Sequence, residues 1–155
     1  MTDFPEPDSP TMPRVLPFST VKEILSEGVS AASHFSCIGA TRQTVRSLCQ
    51  MLKFSLVDQT KMITAASELS RNTLIHGKGG HMNWAIIDVN GKQALQLIFE
   101  DTGPGIKDLK MAMTDGFTTG MGMGLGLPGS KRLVNDFKIE TELGQGTRVS
   151  ITKWK

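Results

Sequence analysis

The sequence predicts a two-layer α/β sandwich: a mixed, mostly antiparallel sheet covered on one face by helices. Three observations carry that expectation. The closing strands alternate, with Ile139, Thr141 and Leu143 set against Lys138, Glu140 and Glu142, so each has one wet face. Tight connections at Asn90-Gly91 and in LGQGT, Leu143 to Thr147, join strands as hairpins and make neighbours antiparallel. Helices are then needed on one side only. The 155 residues, 39% hydrophobic and 21% charged, suit one domain with its own core.

The elements follow in order. Pro5, Pro7, Pro10, Pro13 and Pro17 fall before residue 18, so residues 1–17 read as a disordered leader and 18–155 as the domain. Val21 to Leu25 suits a first strand. From Ser30 the pattern turns helical through Ala32, Phe35, Val45, Leu48 and Leu52, with a break near Gly39. Cys37 and Cys49 both fall in that helix, roughly 18 Å apart, beyond disulfide reach. Asp58 is expected to cap a second helix through Met62, Ala66, Leu69 and Thr73, stopping at Gly77 in GKGG. Strands follow at His81 to Val89 and Ala94 to Asp101, across the Asn90-Gly91 turn. Thr102 to Met123 shows no clean period. Pro128 suits the start of a helix carrying Leu133, Val134 and Phe137. Thr147, Val149 and Ile151 mark the last strand.

Composition excludes some functions. The net charge is +2 and the basic residues are scattered, which argues against a nucleic-acid partner. The opening MTDFPEPDSP is acidic and proline-rich where a signal peptide is basic and then apolar, and no apolar run approaches membrane-spanning length. Reduced cysteines and these absences point to the cytoplasm and away from membranes.

Four stretches carry possible chemistry, each beside a plainer reading. In ALQLIFEDTGPGI the apolar residues Leu95, Leu97 and Phe99 share a strand face, and the same period puts Asp101 on it. An acid there needs a partner. It could accept a neutral amine such as that of adenine, with Gly103 and Gly105 keeping the backbone slim beside a flat base, or DTGPG could be only a turn. In ELSRN, Glu68 and Asn72 lie four apart on one helix face: a base and a magnesium ligand, or a solvated surface. His76 extends that stripe to the helix terminus. GMGMGLGLPGS sets Gly120, Gly122, Gly124, Gly126 and Gly129 ahead of a helix, as a phosphate cradle or a flexible loop. Its G-x-G-x-x-G is poor evidence for a dinucleotide, since no strand of a parallel unit precedes it. LGQGT alone says hairpin.

The order of the four is more specific than any one of them. E-x-x-x-N on a helix, D-x-G-x-G after a strand, a glycine-rich stretch and G-x-G-T before the final strand resemble the N, G1, G2 and G3 boxes of the Bergerat-fold ATPases. Within that superfamily ELSRNTLIHGKGG, FEDTGPGI, DGFTTGMGMGLGLPGSKRL and ELGQGT are similar to the anti-sigma-factor type of serine/threonine kinase, the switch kinases of the bacterial stressosome. The resemblance covers residues 18 to 155.

It implies ATP and Mg2+ as cofactors. Asn72 would hold the magnesium and Glu68 act as base on an incoming hydroxyl. Asp101 would receive the adenine amine beside Gly103 and Gly105, supported by Thr147. Gly122, Gly124 and Gly126 would wrap the phosphates from a mobile lid, with Lys131 or Arg132 reaching a phosphate oxygen. The implied partners are STAS-domain proteins, as substrates that hold the kinase until phosphorylated, and a PP2C-type phosphatase or its regulatory domain, activated on release. Topoisomerase, MutL and Hsp90 relatives need a further domain, and a sensor histidine kinase a phosphoacceptor module, which 155 residues do not accommodate. A non-catalytic, nucleotide-gated anti-sigma factor or adaptor is the alternative. A nicotinamide-binding enzyme is a third, resting on the glycine motif alone.

Overall fold

The computed structural model describes residues 14–15, 33–34, 38–116 and 125–155. Its elements are β1 (Arg14–Val15), β2 (Ser33–His34), α1 (Ile38–Met51), α2 (Leu56–Ile75), β3 (Gly80–Val89), β4 (Lys92–Asp101), α3 (Leu109–Ala112), α4 (Gly126–Leu133), β5 (Asp136–Glu142) and β6 (Gly146–Trp154). The strands lie in the order β1-β3-β4-β6-β5, with β2 also on β3. Every pairing among the described residues is antiparallel, so the sheet there is not mixed.

The β3–β4 hairpin turns where its residues allow it. Asn90 and Gly91 have φ of 54° and 80°, the left-handed pair that a two-residue type I′ connection needs. Asp88 Oδ1 accepts the Gly91 N–H at 3.0 Å and ties the turn down. The inner sheet face presents Met82, Trp84 and Ile86 from β3, Leu95, Leu97 and Phe99 from β4, and Val149 and Ile151 from β6. Against it lie Val45, Leu48 and Cys49 of α1 and Met62, Ala66 and Leu69 of α2, spaced to fill one face of each helix. Fully burying such a side chain is worth about 1.5–3 kcal/mol. Burial pushes the Cys49 thiol up to about 12, so it stays neutral and serves packing.

Helix α2 starts earlier than expected. Its N-cap is Ser55, whose Oγ accepts the Asp58 N–H at 3.1 Å and donates to Asp58 Oδ2 at 2.7 Å. Asp58 is therefore a third-position acid of a capping pair and not the cap. It also meets Lys153 Nζ of β6 at 3.1 Å, tying helix layer to sheet.

Other expectations are corrected where pairing overrode local pattern. Ser33–His34, read as helical, pair with His81 and Met82 of β3, and α1 begins at Ile38. Gly39 does not break α1; it lies in the first turn, where backbone N–H groups lack helical partners anyway. Arg14–Val15, assigned to the leader, pair with Asp88 and Ile87. Helix α4 ends at Leu133: Val134 is extended and Phe137 belongs to β5. Leu143, expected to face inward on β5, sits in the hairpin at 62% exposure. The stretch after Thr102 holds a short helix, α3, capped by Asp108 accepting the Met111 N–H at 2.9 Å. Val21 to Leu25, Cys37 and residues 117–124 lie outside the described residues.

Candidate functional site

One row of facing residues crosses four strands at the end of the core. Gly80 on β3 faces Asp101 on β4, Asp101 faces Thr147 on β6, and Thr147 faces Thr141 on β5. Side chains alternate along a strand, so Asp101 shares the face of Leu97 and Phe99, and Thr147 that of Val149 and Ile151. The acid at the end of the apolar stripe has partners. Asp101 Oδ1 accepts the Gly103 N–H at 3.0 Å and the Thr147 N–H at 3.2 Å. Oδ2 has no hydrogen bond among the described residues.

Backbone crowds around this carboxylate. A Cβ on Gly77 would collide with the Asp101 side chain, and one on Gly103 would come within 2.7 Å of Gly77 Cα and 3.0 Å of the His76 carbonyl. Gly146, at φ +116°, leaves no room for a Cβ against the Asp101 carbonyl. Gly105 abuts the Glu142 carbonyl in the same way. The smallness of Gly103 and Gly105 thus has a cause within the protein, since each lets the DTGPG turn lie flat on its neighbours. Thr141 Oγ1 completes the end of the row: it accepts the Ile106 N–H at 2.8 Å and lies 3.1 Å from Thr147 Oγ1. Asp101, Thr141, Gly146 and Thr147 border a cleft of about 290 Å3, with Glu100 and Arg148 on its flank. Those two are engaged elsewhere. Glu100 Oε2 lies 2.9 Å from His81 Nε2 and accepts from Asn83 Nδ2 at 3.2 Å, while its Oε1 meets Arg148 Nε at 3.3 Å.

Helix α2 delivers the second group. Its core face uses Met62, Ala65, Ala66, Leu69 and Thr73, which leaves Glu68 and Asn72 together on a half-buried flank. Neither side chain has a hydrogen bond or ion pair among the described residues. The Asn72 carbonyl accepts the His76 N–H at 2.9 Å and the Gly77 N–H at 3.3 Å. Those bonds turn the chain so that Gly77 lands on Asp101, linking the helix group to the row. His76 is the exposed C-cap, as its position in the sequence suggested.

The glycine-rich stretch is represented by its last part. Gly126 is the first residue of α4, with φ 63°. Gly120, Gly122 and Gly124 lie outside the described residues. Helix α4 packs on α2 through Leu127. Lys131 is exposed and has no ion pair among the described residues; Arg132 pairs with Asp115. Both border a hollow of about 630 Å3 with Met113, Pro128 and Val134. Among the described residues no three His, Cys, Asp or Glu side chains form a metal-binding group, and no helix is long and apolar enough to cross a membrane.

Gly77, Thr141 and Gly146 were not singled out from sequence. For Thr141 a signal existed: it interrupts an apolar strand face, as Asp101 does. For Gly77 it was the surplus of glycine in GKGG beyond what a helix stop needs.

The serine/threonine-protein kinase RsbT of Bacillus subtilis is 42% identical over 117 residues, which cover 76% of this chain and 88% of that protein. The anti-sigma F factor of Clostridium kluyveri is 30% identical over 116 residues, covering 72% of this chain and 82% of its own. Among solved structures, the RsbU and RsbW domains of Rv1364c from Mycobacterium tuberculosis superpose with a TM-score of 0.53 at 18% identity, over 81% of this chain and 33% of that one, a likeness of fold. Residues 57–155, from the first turn of α2 through β6, match the family described as histidine kinase-, DNA gyrase B-, and HSP90-like ATPase, and the chain belongs to that family.

Proposed function

We propose that this chain is an ATP-dependent protein serine/threonine kinase that works as a partner switch in the cytoplasm. It phosphorylates STAS-domain proteins that otherwise hold it and, once released, activates a PP2C-type phosphatase through that enzyme or its regulatory domain. The observation that carries this is the pair Glu68 and Asn72, half-buried on one flank of α2, without side-chain partners among the described residues and tied through Gly77 to the Asp101 row. The 42% identity to a protein named a serine/threonine-protein kinase supports it.

The residues fit the chemistry. Asn72 offers an amide oxygen, a suitable ligand for Mg2+, which takes one or two protein ligands and keeps phosphate oxygens and waters for the rest. Magnesium bound there would neutralise charge on the phosphoryl group. Glu68, one turn earlier, accepts the proton of the partner's Ser or Thr hydroxyl as that oxygen attacks. Asp101 Oδ2, without a hydrogen bond among the described residues, would accept the adenine amine, with Thr147 on the same cleft and the DTGPG turn held low by Gly103 and Gly105. Gly122, Gly124 and Gly126 would bind the phosphates, and Lys131 would supply a positive charge to a phosphate oxygen. Positioning and charge supply most of such catalysis, so a small domain suffices.

The relative named an anti-sigma F factor favours a second reading, a nucleotide-gated module that sequesters a sigma factor. Transfer of γ-labelled phosphate from Mg-ATP to a STAS-domain partner separates the two. At ATP levels well below saturation of the Asp101→Asn variant, the kinase labels the partner as wild type and not as Glu68→Gln or Asp101→Asn. ATP binding with no labelled partner, together with stable capture of a sigma factor, would overturn the kinase.

A further inference from the structure

The hydrogen bonds of Thr141 determine which way the hydroxyl of Thr147 points. Thr141 Oγ1 meets three groups: the Ile106 N–H at 2.8 Å, the Gly146 carbonyl at 3.2 Å and Thr147 Oγ1 at 3.1 Å. A hydroxyl has one proton and two lone pairs. The Gly146 carbonyl can only accept, so it takes the proton of Thr141. The Ile106 N–H can only donate, so it fills one lone pair. Thr147 must then give its own proton to the lone pair that remains.

That leaves Thr147 Oγ1, which borders the cleft, with lone pairs alone to offer a ligand. Its backbone N–H is already given to Asp101 Oδ1 at 3.2 Å. An ionised Asp101 is itself acceptor-only. The side chains of this row therefore offer acceptors and no donor. A purine edge bearing an amine satisfies them; an edge bearing a carbonyl oxygen leaves lone pairs facing lone pairs.

We propose that Thr141 is a specificity-determining positioning residue. By committing the proton of Thr147 away from the cleft, it makes the base end select an exocyclic amine over a carbonyl at the same place. This rests on the reading that the cleft receives the base of ATP, and extends it to a residue that acts through the hydroxyl of Thr147. Removing the Thr141 hydroxyl frees the Thr147 hydroxyl to rotate and donate to a carbonyl.

The test compares affinities for Mg-ATP and Mg-ITP, which differ by amine against carbonyl at purine position 6 and by a bare nitrogen against an N–H at position 1, by titration calorimetry on the full chain. The position 1 difference is the same for every variant, so the change in ratio between variants reads position 6. Wild type, Thr141→Val and Thr141→Ser are measured. Wild type is expected to prefer ATP. Valine keeps the branched shape and loses the hydroxyl, and the ATP-to-ITP preference should shrink about tenfold, the worth of one hydrogen bond of this kind. Serine keeps the hydroxyl and should keep the preference. Loss of the Ile106 contact in the valine variant weakens both nucleotides alike and cancels from the ratio.

An unchanged ratio in Thr141→Val, or the same loss in Thr141→Ser, overturns the proposal while leaving ATP binding intact. A wild type that binds ATP and ITP equally defeats the base-site reading itself. If Thr141→Val does not fold by circular dichroism, Thr141→Ala asks the same question with less bulk. Failure of both to fold would make the hydroxyl a folding element and overturn the assignment.

Discussion

The two ends of the candidate site are built in opposite ways. At the end proposed for the base the groups are fixed by sheet register and close backbone: Asp101 Oδ1 holds two backbone N–H groups, Thr141 ties the Ile106 backbone to β5, and four glycines, Gly77, Gly103, Gly105 and Gly146, let main chain close in. At the transfer end Glu68 and Asn72 stand on a helix flank with no side-chain partner among the described residues. A half-buried polar group left unmatched costs stability, up to about 1–3 kcal/mol when burial is complete. In the proposed kinase the contrast is a division of labour. A base needs a rigid pattern of acceptors, which antiparallel strands supply through backbone; phosphoryl transfer needs groups free to take a metal and a proton.

The largest effect should fall on the free end. Glu68→Gln is expected to lower phosphate transfer by about 10²–10⁴-fold, the usual contribution of a positioned base, with ATP affinity unchanged. Transfer of labelled phosphate and calorimetry measured together would break the contrast if affinity fell alongside rate. Asp101→Asn comes next. It places an amide where an acceptor pair is needed, and ATP affinity should fall roughly tenfold to hundredfold, the range for a hydrogen bond to a charged group. Its effect on transfer should follow from lost binding alone and recover at saturating ATP.

Gly146→Ala asks how rigid the sheet end is. The added Cβ collides with the Asp101 carbonyl at a φ of +116°, so stability should drop by about 1–3 kcal/mol, read as a lower urea midpoint, with weaker ATP binding. A variant as stable as wild type would show that the row can shift. The corresponding change on the helix flank, Asn72→Ala, should leave the urea midpoint nearly unchanged.

This asymmetry also explains what could be read from sequence. Period two set Asp101 on the apolar face and a helical period set Glu68 beside Asn72, and both placements hold, because each depends on one element only. The β3–β4 hairpin was legible because Asn90-Gly91 encodes its own turn. Thr141 was not, since its partner Ile106 lies 35 residues away and the contact exists only after β5 docks on β6. The strand at Ser33–His34 was hidden for the same reason: its partner β3 lies far along the chain, and local periodicity favoured helix. Ser55 and Asp58 are both good capping residues, and only the structure shows that they act as a pair. Helix α3, at four residues, is too short for a period to show.

The smallest effect concerns the far end of α2, where the helix bearing Glu68 and Asn72 is anchored to the sheet bearing Asp101 and Thr147. The Ser55 hydroxyl bonded to Asp58, and then the Lys153 ammonium beside it, hold the Asp58 carboxyl below the usual range for an aspartate. A depressed acid binds fewer protons folded than unfolded, so its contribution is fully present above the unfolded value of about 3.9 and fades as pH falls through the lower folded one. Asp58→Asn should therefore lower the urea midpoint at pH 7 by an amount that shrinks as pH drops below about 4. Loss of the Ser55 cap adds a comparison: Ser55→Ala should cost about 1 kcal/mol, through the orphaned backbone N–H of Asp58. ATP affinity at pH 7 should not change in either variant, because each site end is held by bonds of its own. If Asp58→Asn weakened ATP binding while the protein stayed folded, the two ends would be coupled through the anchor of α2, and their independence would fail.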